Sequence, residues 1–477
     1  MKSVAINAID KNAEIFCDLS DKIWEYAELS LKEFKSCEEY CKLLKELGFE
    51  VEKNVAGIKT AFLGKWGNGK PVIGILGEYD ALSGLSQIGG EAVRKELEKG
   101  GNGHGCGHNM LGAGSLAAAY GIKEYLKNSG KSGTVIFYGT PGEEGGAGKA
   151  FMAKEGLWKS LDCALTWHPM DINEVAVGTC NSCIQILYKY KGVASHAAGD
   201  PEYGRSALDA VELMNVGVQY LREHTKDDAR IHYAIIDGGG VSPNVVQPTA
   251  SVLYMIRSKR VKDALELTQR VDKIADGAAL MTETSYERVF IDGCSGPVPN
   301  SVLEELMYEK MKEIPIPEYT AEEIEFAKAL KSTYETHFTS CTAAIYDKSV
   351  KDEIERLTEG NNKPINDFLA PLHKGYHFNA GSTDVGDVSW QTPTAQVYTA
   401  CFAAGAPGHS WQNVSIGKTS IGHKGLLYAA KIIASAAIDL IEDPQLLAAA
   451  KAEFVESTKE GYICPIPADE YAKAVEL

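Results

Sequence analysis

The sequence of 477 residues contains no run of 18 uninterrupted apolar residues, and its first residues lack the apolar core and cleavage site of a signal peptide. We therefore expect no membrane-spanning helix and a cytoplasmic location. A disulfide framework is also missing, because the eleven cysteines are scattered through a long chain. A chain of this length exceeds what one hydrophobic core usually fills, so we expect at least two domains.

Basic segments are missing as well. Lys and Arg total 48 against 65 Asp and Glu, which gives a formal net charge of −17. Such an acidic chain repels phosphate backbones and anionic lipid, so we expect neither nucleic acid nor a membrane as a partner. The HExxH motif and the HxE…PCxxC pattern of two zinc-enzyme classes do not occur. The single CxxC, Cys180 to Cys183, has no second pair and is interpreted as structural.

Strand and helix patterns alternate through the first part of the chain. Helical periodicity runs through 20–48, and a helix rich in small residues is predicted at 109–126. Buried strand patterns within 69–80, 132–146 and 161–169 each run into a loop. This alternation predicts an α/β domain with a mostly parallel sheet, in which ligands bind beyond the carboxyl ends of the strands.

The rhythm changes between residues 182 and 293. Strand, helix, strand, strand, helix and strand patterns follow one another there, which is the ferredoxin-like order. We therefore predict a catalytic domain formed by 1–181 and 294–477 and an inserted domain at 182–293. The segment 300–372 is acidic and helix-rich, with a capping box at 320–323, and it carries no evident chemistry.

The heptapeptide GHGCGHN at 103–109 places three metal-seeking side chains among glycines. Cys106 and His108 are two residues apart, so on an extended backbone they point to the same side. A thiolate and an imidazole suit zinc, iron, nickel or manganese. The alternative is a flexible glycine loop that carries these residues by chance.

Four further clusters lie at predicted strand ends, and each alone also fits an ordinary turn. Their ligand-type side chains are Glu78 and Asp80 in GEYD, Glu143 and Glu144 in TPGEEGGAG, His168 in TWHP, and His409 in GAPGHSWQ. Together they exceed the three or four ligands of one tetrahedral zinc site. They fit a centre of two metals about 3.5–4 Å apart, which activates a shared water for hydrolysis.

Seven stretches in fixed order carry a resemblance to a known family: GHGCGHN, TPGEEGGAG, TWHP, SHAAGDPEYGRSALDAVELMN, GGGVSPNVVQP, GSTDVGDVSWQTP and GHSWQ. They resemble the amidohydrolase branch of the aminoacylase/carboxypeptidase metallopeptidases over nearly the whole chain. The resemblance implies a catalytic α/β domain with an inserted ferredoxin-like lid. It also implies metal-dependent cleavage of the amide of an N-acyl amino acid, such as p-aminobenzoyl-glutamate, or of a dipeptide.

The same resemblance implies the assembly and the cofactors. A homodimer through the lid is expected, and a heteromer with a related subunit is the alternative. A non-catalytic binding subunit is the alternative from another functional class. Two divalent cations, manganese or zinc, are expected, and their ligands by resemblance are Cys106, as a bridging ligand, with His108, Glu144, His168 and His409.

The remaining roles also follow from the resemblance. Glu143 is the expected general base, and His196 on the lid is expected to stabilise the oxyanion, often in the partner subunit's site. Asn244 is expected to bind substrate near the same place. Arg257 is a candidate partner for a substrate carboxylate, and Arg205 is either a second one or part of a surface ion pair.

Three residues are expected to support the ligands. Glu78 stands where many relatives carry the histidine of a His-x-Asp motif, and Asp80 is expected to orient a ligand. His104 is either a ligand or a supporting residue. Asp384, in GSTDVGD, either supports the centre or folds its own loop.

Overall fold

The computed structural model describes residues 2–335, 347–373 and 377–474. No helix within these ranges has the length and apolarity that a bilayer crossing requires. The helices of the described residues are α1 (Lys2–Lys11), α2 (Ala13–Tyr26), α3 (Phe34–Glu46), α4 (His108–Ser129), α5 (Gly148–Lys154), α6 (Ala207–Arg222), α7 (Val261–Thr282), α8 (Ser301–Glu313), α9 (Ala321–Lys331), α10 (Lys348–Leu357), α11 (Val385–Ser389), α12 (Trp411–Ile416), α13 (Ser420–Glu442) and α14 (Pro444–Ser457). The strands are β1 (Glu50–Lys53), β2 (Phe62–Asn68), β3 (Val72–Gly77), β4 (Gly133–Gly139), β5 (Cys163–Met170), β6 (Glu174–Ala176), β7 (Thr179–Cys180), β8 (Ser182–Lys191), β9 (Arg230–Asp237), β10 (Thr249–Ser258), β11 (Ser285–Cys294), β12 (Phe378–Asn379) and β13 (Thr394–Ala400).

The larger sheet has the strand order β1-β2-β4-β3-β5-β13-β6 among the described residues. Strands β4, β3, β5 and β13 pair in parallel, and the pairs toward both edges are antiparallel. Every residue of β4 is buried, which explains why its sequence is a continuous apolar run. The mixed α/β class with a mostly parallel central sheet is therefore confirmed.

Helix α4 packs closely on this sheet because its residues are small. A Cβ added at Gly112 would lie 2.2 Å from Oη of Tyr40 and 2.7 Å from the carbonyl oxygen of Glu78. The helix can approach the end of β3 only without that side chain. This close approach places the first residue of the helix, His108, beside the carboxyl end of β3.

The second sheet is antiparallel throughout, with the order β11-β8-β10-β9. Between Ser182 and Cys294 the elements follow as strand, helix, strand, strand, helix and strand. Alternate residues of β10 are buried, and helices α6 and α7 pack on the sheet. Its other face lines a cavity at the carboxyl edge of the larger sheet.

One sequence expectation needs correction, and one local prediction is confirmed. The periodicity at 20–48 is not one helix, because α2 ends at Tyr26 and α3 begins at Phe34. The break exists for tertiary reasons, since the buried carboxylate of Glu33 accepts hydrogen bonds from the N–H groups of Leu31 and Gly142. The capping box at 320–323 is present at the start of α9.

Candidate metal centre

Eight titratable side chains meet at one edge of the larger sheet. The parallel strands end there, so the loops that follow them converge. The set comprises Glu78 and Asp80 after β3, Cys106 and His108 at the start of α4, Glu143 and Glu144 after β4, His168 within β5, and His409 before α12.

Three overlapping groups of potential ligand atoms occur in this cluster, and the atoms of each group lie within 4.8 Å of one another. Cys106 belongs to two of the groups, and its Sγ lies 3.4 Å from Nε2 of His168. A thiolate shared in this way suits a ligand that bridges two cations. The groups are Cys106 with His108 and His168, Cys106 with Glu144 and His409, and Glu78 with His108 and Glu143.

The Cys106–His108 pair forms for a different reason from the one the sequence suggested. Gly107 between them has a φ of 84°, and α4 begins at His108, so the segment is a turn and not an extended strand. Glycine is required at this turn, because a left-handed φ strains other residues. The turn points both side chains at His168.

Asp80 orients His108. Nδ1 of His108 lies 2.9 Å from Oδ1 of Asp80 and donates to it, which directs Nε2 into the cluster. The second oxygen of Asp80 accepts from Ser30 Oγ at 2.7 Å and from the N–H of Glu144 at 2.9 Å. Burial would raise the pKa of Asp80, but His108 and these donors outweigh burial and lower it.

His168 is held in its neutral form, with one ring nitrogen free to bind a cation. Its Nδ1 lies 2.8 Å from the carbonyl oxygen of Pro169, which can only accept, so Nδ1 carries the hydrogen and Nε2 presents a lone pair. Burial, together with the charge of His108, lowers the pKa of His168 to about 4.

The buried donor atoms fit a cation. Among the described residues, Nε2 of His108 and Oε1 of Glu144 are buried without a hydrogen bond, although Nε2 lies 3.2 Å from Oε2 of Glu78. His409 has a φ of 52°, and its Nε2 lies 3.5 Å from that oxygen of Glu144. Unpaired buried polar atoms are costly, so a cation among them would relieve a cost that the fold otherwise carries.

Glu143 lies in the same place as a further carboxylate. Burial raises its pKa well above the usual range, and the negative charges of Glu78, Glu144 and Asp384 add to this effect. A carboxyl group with high proton affinity beside a set of metal ligands is suited to hold a proton during a reaction.

Lys149, at the start of α5, is a participant that sequence reasoning missed. It is fully buried, and its Nζ lies 2.8 Å from Glu78 and 2.5 Å from Asp384. Its backbone N–H also donates to Asp384 at 2.8 Å. Burial alone would lower the pKa of Lys149, but the two carboxylates raise it. Burial would raise the pKa of Glu78, but Lys149 and the nearby histidines lower it, whereas for Asp384 burial outweighs Lys149 and raises the pKa. Asp384 in turn fixes the loop of Lys149 through the backbone N–H.

His104 lies outside the three ligand groups found among the described residues. It is buried, and its Nε2 donates to the carbonyl oxygen of Ile23 at 3.0 Å. Burial, followed by the charge of His108, lowers the pKa of His104 to about 4. Its contacts are those of a residue that anchors the GHGCGHN loop to α2.

His196 and Asn244 lie together on two loops of the second sheet's unit, away from the ligand groups. The N–H of Ala197 donates to the carbonyl oxygen of Asn244, and both side chains are exposed. Nδ1 of His196 accepts from the N–H groups of Ala198 and Gly199, which leaves Nε2–H as a donor.

Arg257 lines a cavity of about 350 Å³ together with Glu143, Glu144 and His409. Its guanidinium donates to Ser382 Oγ at 2.9 Å. Arg205 instead lies 3.0 Å from Glu283 and donates to two carbonyl groups of its own loop.

The protein's class follows from this geometry. A parallel-sheet edge that presents imidazole, thiolate and carboxylate ligands beside one further carboxylate is equipped to activate water on metal ions, so the protein is a metal-dependent hydrolase. Residues 74–456 match the family described as Peptidase family M20/M25/M40. The chain belongs to this family, and it cleaves amide bonds.

Individual relatives agree with this assignment. The chain is 45% identical to one of the subunits of p-aminobenzoyl-glutamate hydrolase from Escherichia coli (strain K12), over 97% of this chain and 96% of that protein. It is 28% identical to Xaa-Arg dipeptidase of Mus musculus, over 95% and 92% of the two chains.

Solved structures share the fold. The aminobenzoyl-glutamate utilization protein from Klebsiella pneumoniae has a TM-score of 0.58 at 14% identity, covering 90% of this chain and 97% of that chain. The YXEP protein of Bacillus subtilis, a dinuclear metal binding peptidase from the M20 family, has a TM-score of 0.53 at 16% identity, covering 91% and 99%.

Proposed function

We propose that the chain hydrolyses N-acyl amino acids, with p-aminobenzoyl-glutamate as its substrate, on two divalent cations that are manganese or zinc. The observation that carries this proposal is the thiol of Cys106, which belongs to two ligand groups beside Glu143. The proposed ligands are Cys106, His108, Glu144, His168 and His409. The substrate is suggested by the relative from Escherichia coli that is named for it.

Each protein group then has a defined task. Divalent cations held by these five ligands would lower the pKa of water and polarise the amide carbonyl. Glu143 accepts a proton from that water and later donates it to the leaving amine, which its raised proton affinity favours. The Nε2–H of His196 donates to the oxyanion, Asn244 contacts the substrate beside it, and Arg257 binds the substrate carboxylate.

The assembly is part of the proposal. Residues 182–293 form a ferredoxin-like lid, and 1–181 with 294–477 form the catalytic domain. The lid joins two copies of the chain, or this chain and a related subunit, so that His196 serves the partner's site. The cysteines within the described residues are free thiols, which is typical of a cytoplasmic protein, and we place the enzyme there.

Replacing Glu143 with Gln tests the role of the base. Turnover of p-aminobenzoyl-glutamate should fall by about 10³-fold or more, because no group then takes the proton from water. The metal content per chain, measured by mass spectrometry, should stay at the wild-type value. Replacing the exposed Glu155 with Gln is the matched control and should change neither quantity. Retained turnover in Glu143→Gln would remove Glu143 as the base.

A dipeptidase that prefers a basic residue is the second candidate. The similarity to Xaa-Arg dipeptidase favours it, as does buried Asp292 in the cavity of Arg257, where it could face a substrate cation. A panel of N-acyl-glutamates and Xaa-Arg dipeptides, assayed with added manganese or zinc, separates the two candidates. Two bound metals without turnover on any amide would instead favour a binding subunit.

A further inference from the structure

Two cavities of about 350 Å³ reach the metal centre from different sides. We call them the Arg257 cavity, which contains Glu143, and the Phe402 cavity, which contains Cys106 and His168. His409 lines both, so the two cavities meet at the ligand cluster. A substrate that places its amide at the centre can therefore extend into each of them.

The walls of the Phe402 cavity suit an uncharged group. Its apolar lining consists of Pro169, Met170, Phe402, Ala406 and Pro407. None of the described lining residues is Lys or Arg, whereas Asp171 and Glu335 are acidic. Away from the proposed cations, a carboxylate placed there would find no lysine or arginine among the described lining residues and would be repelled by the two acids. An aromatic ring, with or without an amino group, meets neither obstacle.

The apolar wall lies directly against the metal-binding turn. A Cβ added at Gly107 would come within 2.9 Å of Cζ of Phe402 and 3.0 Å of Cβ of Pro169. Phe402 is 4% exposed, so its ring is fixed beside the turn that carries Cys106 and His108. A substrate group in the Phe402 cavity would therefore lie next to the amide that is cleaved.

The position of Glu143 sets the direction of the substrate. The leaving amine takes its proton from Glu143, and Glu143 lines the Arg257 cavity but not the Phe402 cavity. The amino-acid part therefore occupies the Arg257 cavity, where Arg257 meets its carboxylate. We infer that the Phe402 cavity is the acyl subsite and that it selects flat, uncharged, aromatic acyl groups. This inference rests on the proposed function, and it assigns the selectivity for the acyl group to the apolar lining of the Phe402 cavity.

The test narrows the cavity at Ala406, which lies on its half-exposed rim. Ala406→Leu and Ala406→Phe are assayed with p-aminobenzoyl-glutamate and N-acetyl-glutamate. The ratio of kcat/KM for the aromatic over the acetyl substrate should fall progressively, by about 10- to 100-fold for Phe, because the added side chain takes the space of the ring. Phe402→Ala, which widens the cavity, should also lower the ratio by removing apolar contact with the ring.

Two further variants make the outcome decisive. Ala448→Phe, on the exposed surface of α14, is the matched control and should leave the ratio unchanged. Arg257→Met should reduce turnover of both substrates by a similar factor, since both carry the same amino acid. Equal loss on both substrates in Ala406→Phe would overturn the inference. If the wild type cleaves no N-acyl-glutamate, the proposed substrate fails, and the same aromatic-to-acetyl ratio is then measured on the N-acyl peptides that it does cleave.

Discussion

The metal centre and the loops that carry His196 and Asn244 differ in how the chain holds them. At the centre, two of the three imidazoles are fixed by a second partner, His108 by Asp80 and His168 by the carbonyl of Pro169. His196 is exposed and accepts bonds from its own loop. The three ligand groups in the described part of the chain include no residue of 182–293. The contrast shows that the candidate ligand groups form within one chain, whereas the imidazole of His196 is exposed in that chain.

The largest effect should come from removing the thiol that two ligand groups share. Cys106→Ala should bind fewer than two metals per chain and lose at least about 10³-fold in kcat/KM, because both groups fall below three ligands. Metal content by mass spectrometry and turnover measure this effect. Cys17→Ala, a half-buried cysteine on α2, is the control. Two retained metals with full activity would show that the cysteine is not a shared ligand.

The role of His196 is tested by combining two variant chains in one dimer. His196→Ala should lower kcat by about 10²-fold or more with unchanged metal content, because a donor to the oxyanion is lost. The variant is then co-expressed with Glu143→Gln, so that some dimers contain one chain of each kind. If His196 acts in the partner's site, one site of each mixed dimer has both an intact Glu143 and an intact His196. Activity should then recover to about a quarter of the wild-type value for random pairing. No recovery would mean that His196 acts within its own chain.

Replacing Lys149 should have a smaller effect than either of these changes. Its ion pairs are with the buried acids Glu78 and Asp384, which are not among the five proposed ligands. Lys149→Met leaves Glu78 and Asp384 buried without their cation, which should lower the free energy of unfolding by about 3 kcal/mol. Turnover should fall by about 10-fold as Glu78 shifts beside His108. Chemical denaturation and kcat measure the two effects, and exposed Lys159→Met is the control. Unchanged stability would mean that Lys149 is not needed to hold the two acids.

The sequence could predict that these ligand-type side chains lie close together, because their signal is local. Polar side chains in glycine-rich loops at strand ends must converge once the sheet is parallel, and this argument needs no coordinates. Lys149 gives no such signal, because a lysine on a helix is usually exposed and its partners Glu78 and Asp384 are distant in sequence. The break between α2 and α3 is hidden for the same reason. It depends on Glu33 bonding to Gly142, more than a hundred residues away.

Asp292, on β11, should give the smallest effect, and it tests the wall of the Arg257 cavity that the second sheet forms. Burial raises its pKa to about 7, with Gln185 donating to the carboxyl and opposing this effect. Between the ordinary pKa of about 4 and that value, the folded chain keeps a proton that the unfolded chain has lost. Stability should therefore fall as the pH rises through this window and then level off.

Asp292→Asn removes this contribution and keeps the contact with Gln185. Relative to the variant, the wild type should lose on the order of 2 kcal/mol in the free energy of unfolding between about pH 4.5 and 7.5. Urea denaturation at several pH values gives the difference, and the metal ligands titrate alike in both proteins, so their contribution cancels. Exposed Asp227→Asn should follow the wild-type curve. Parallel curves for Asp292→Asn and the wild type would show that Asp292 is ionised throughout this pH range. The Arg257 cavity would then carry a fixed negative charge, which favours a basic substrate over an acidic one.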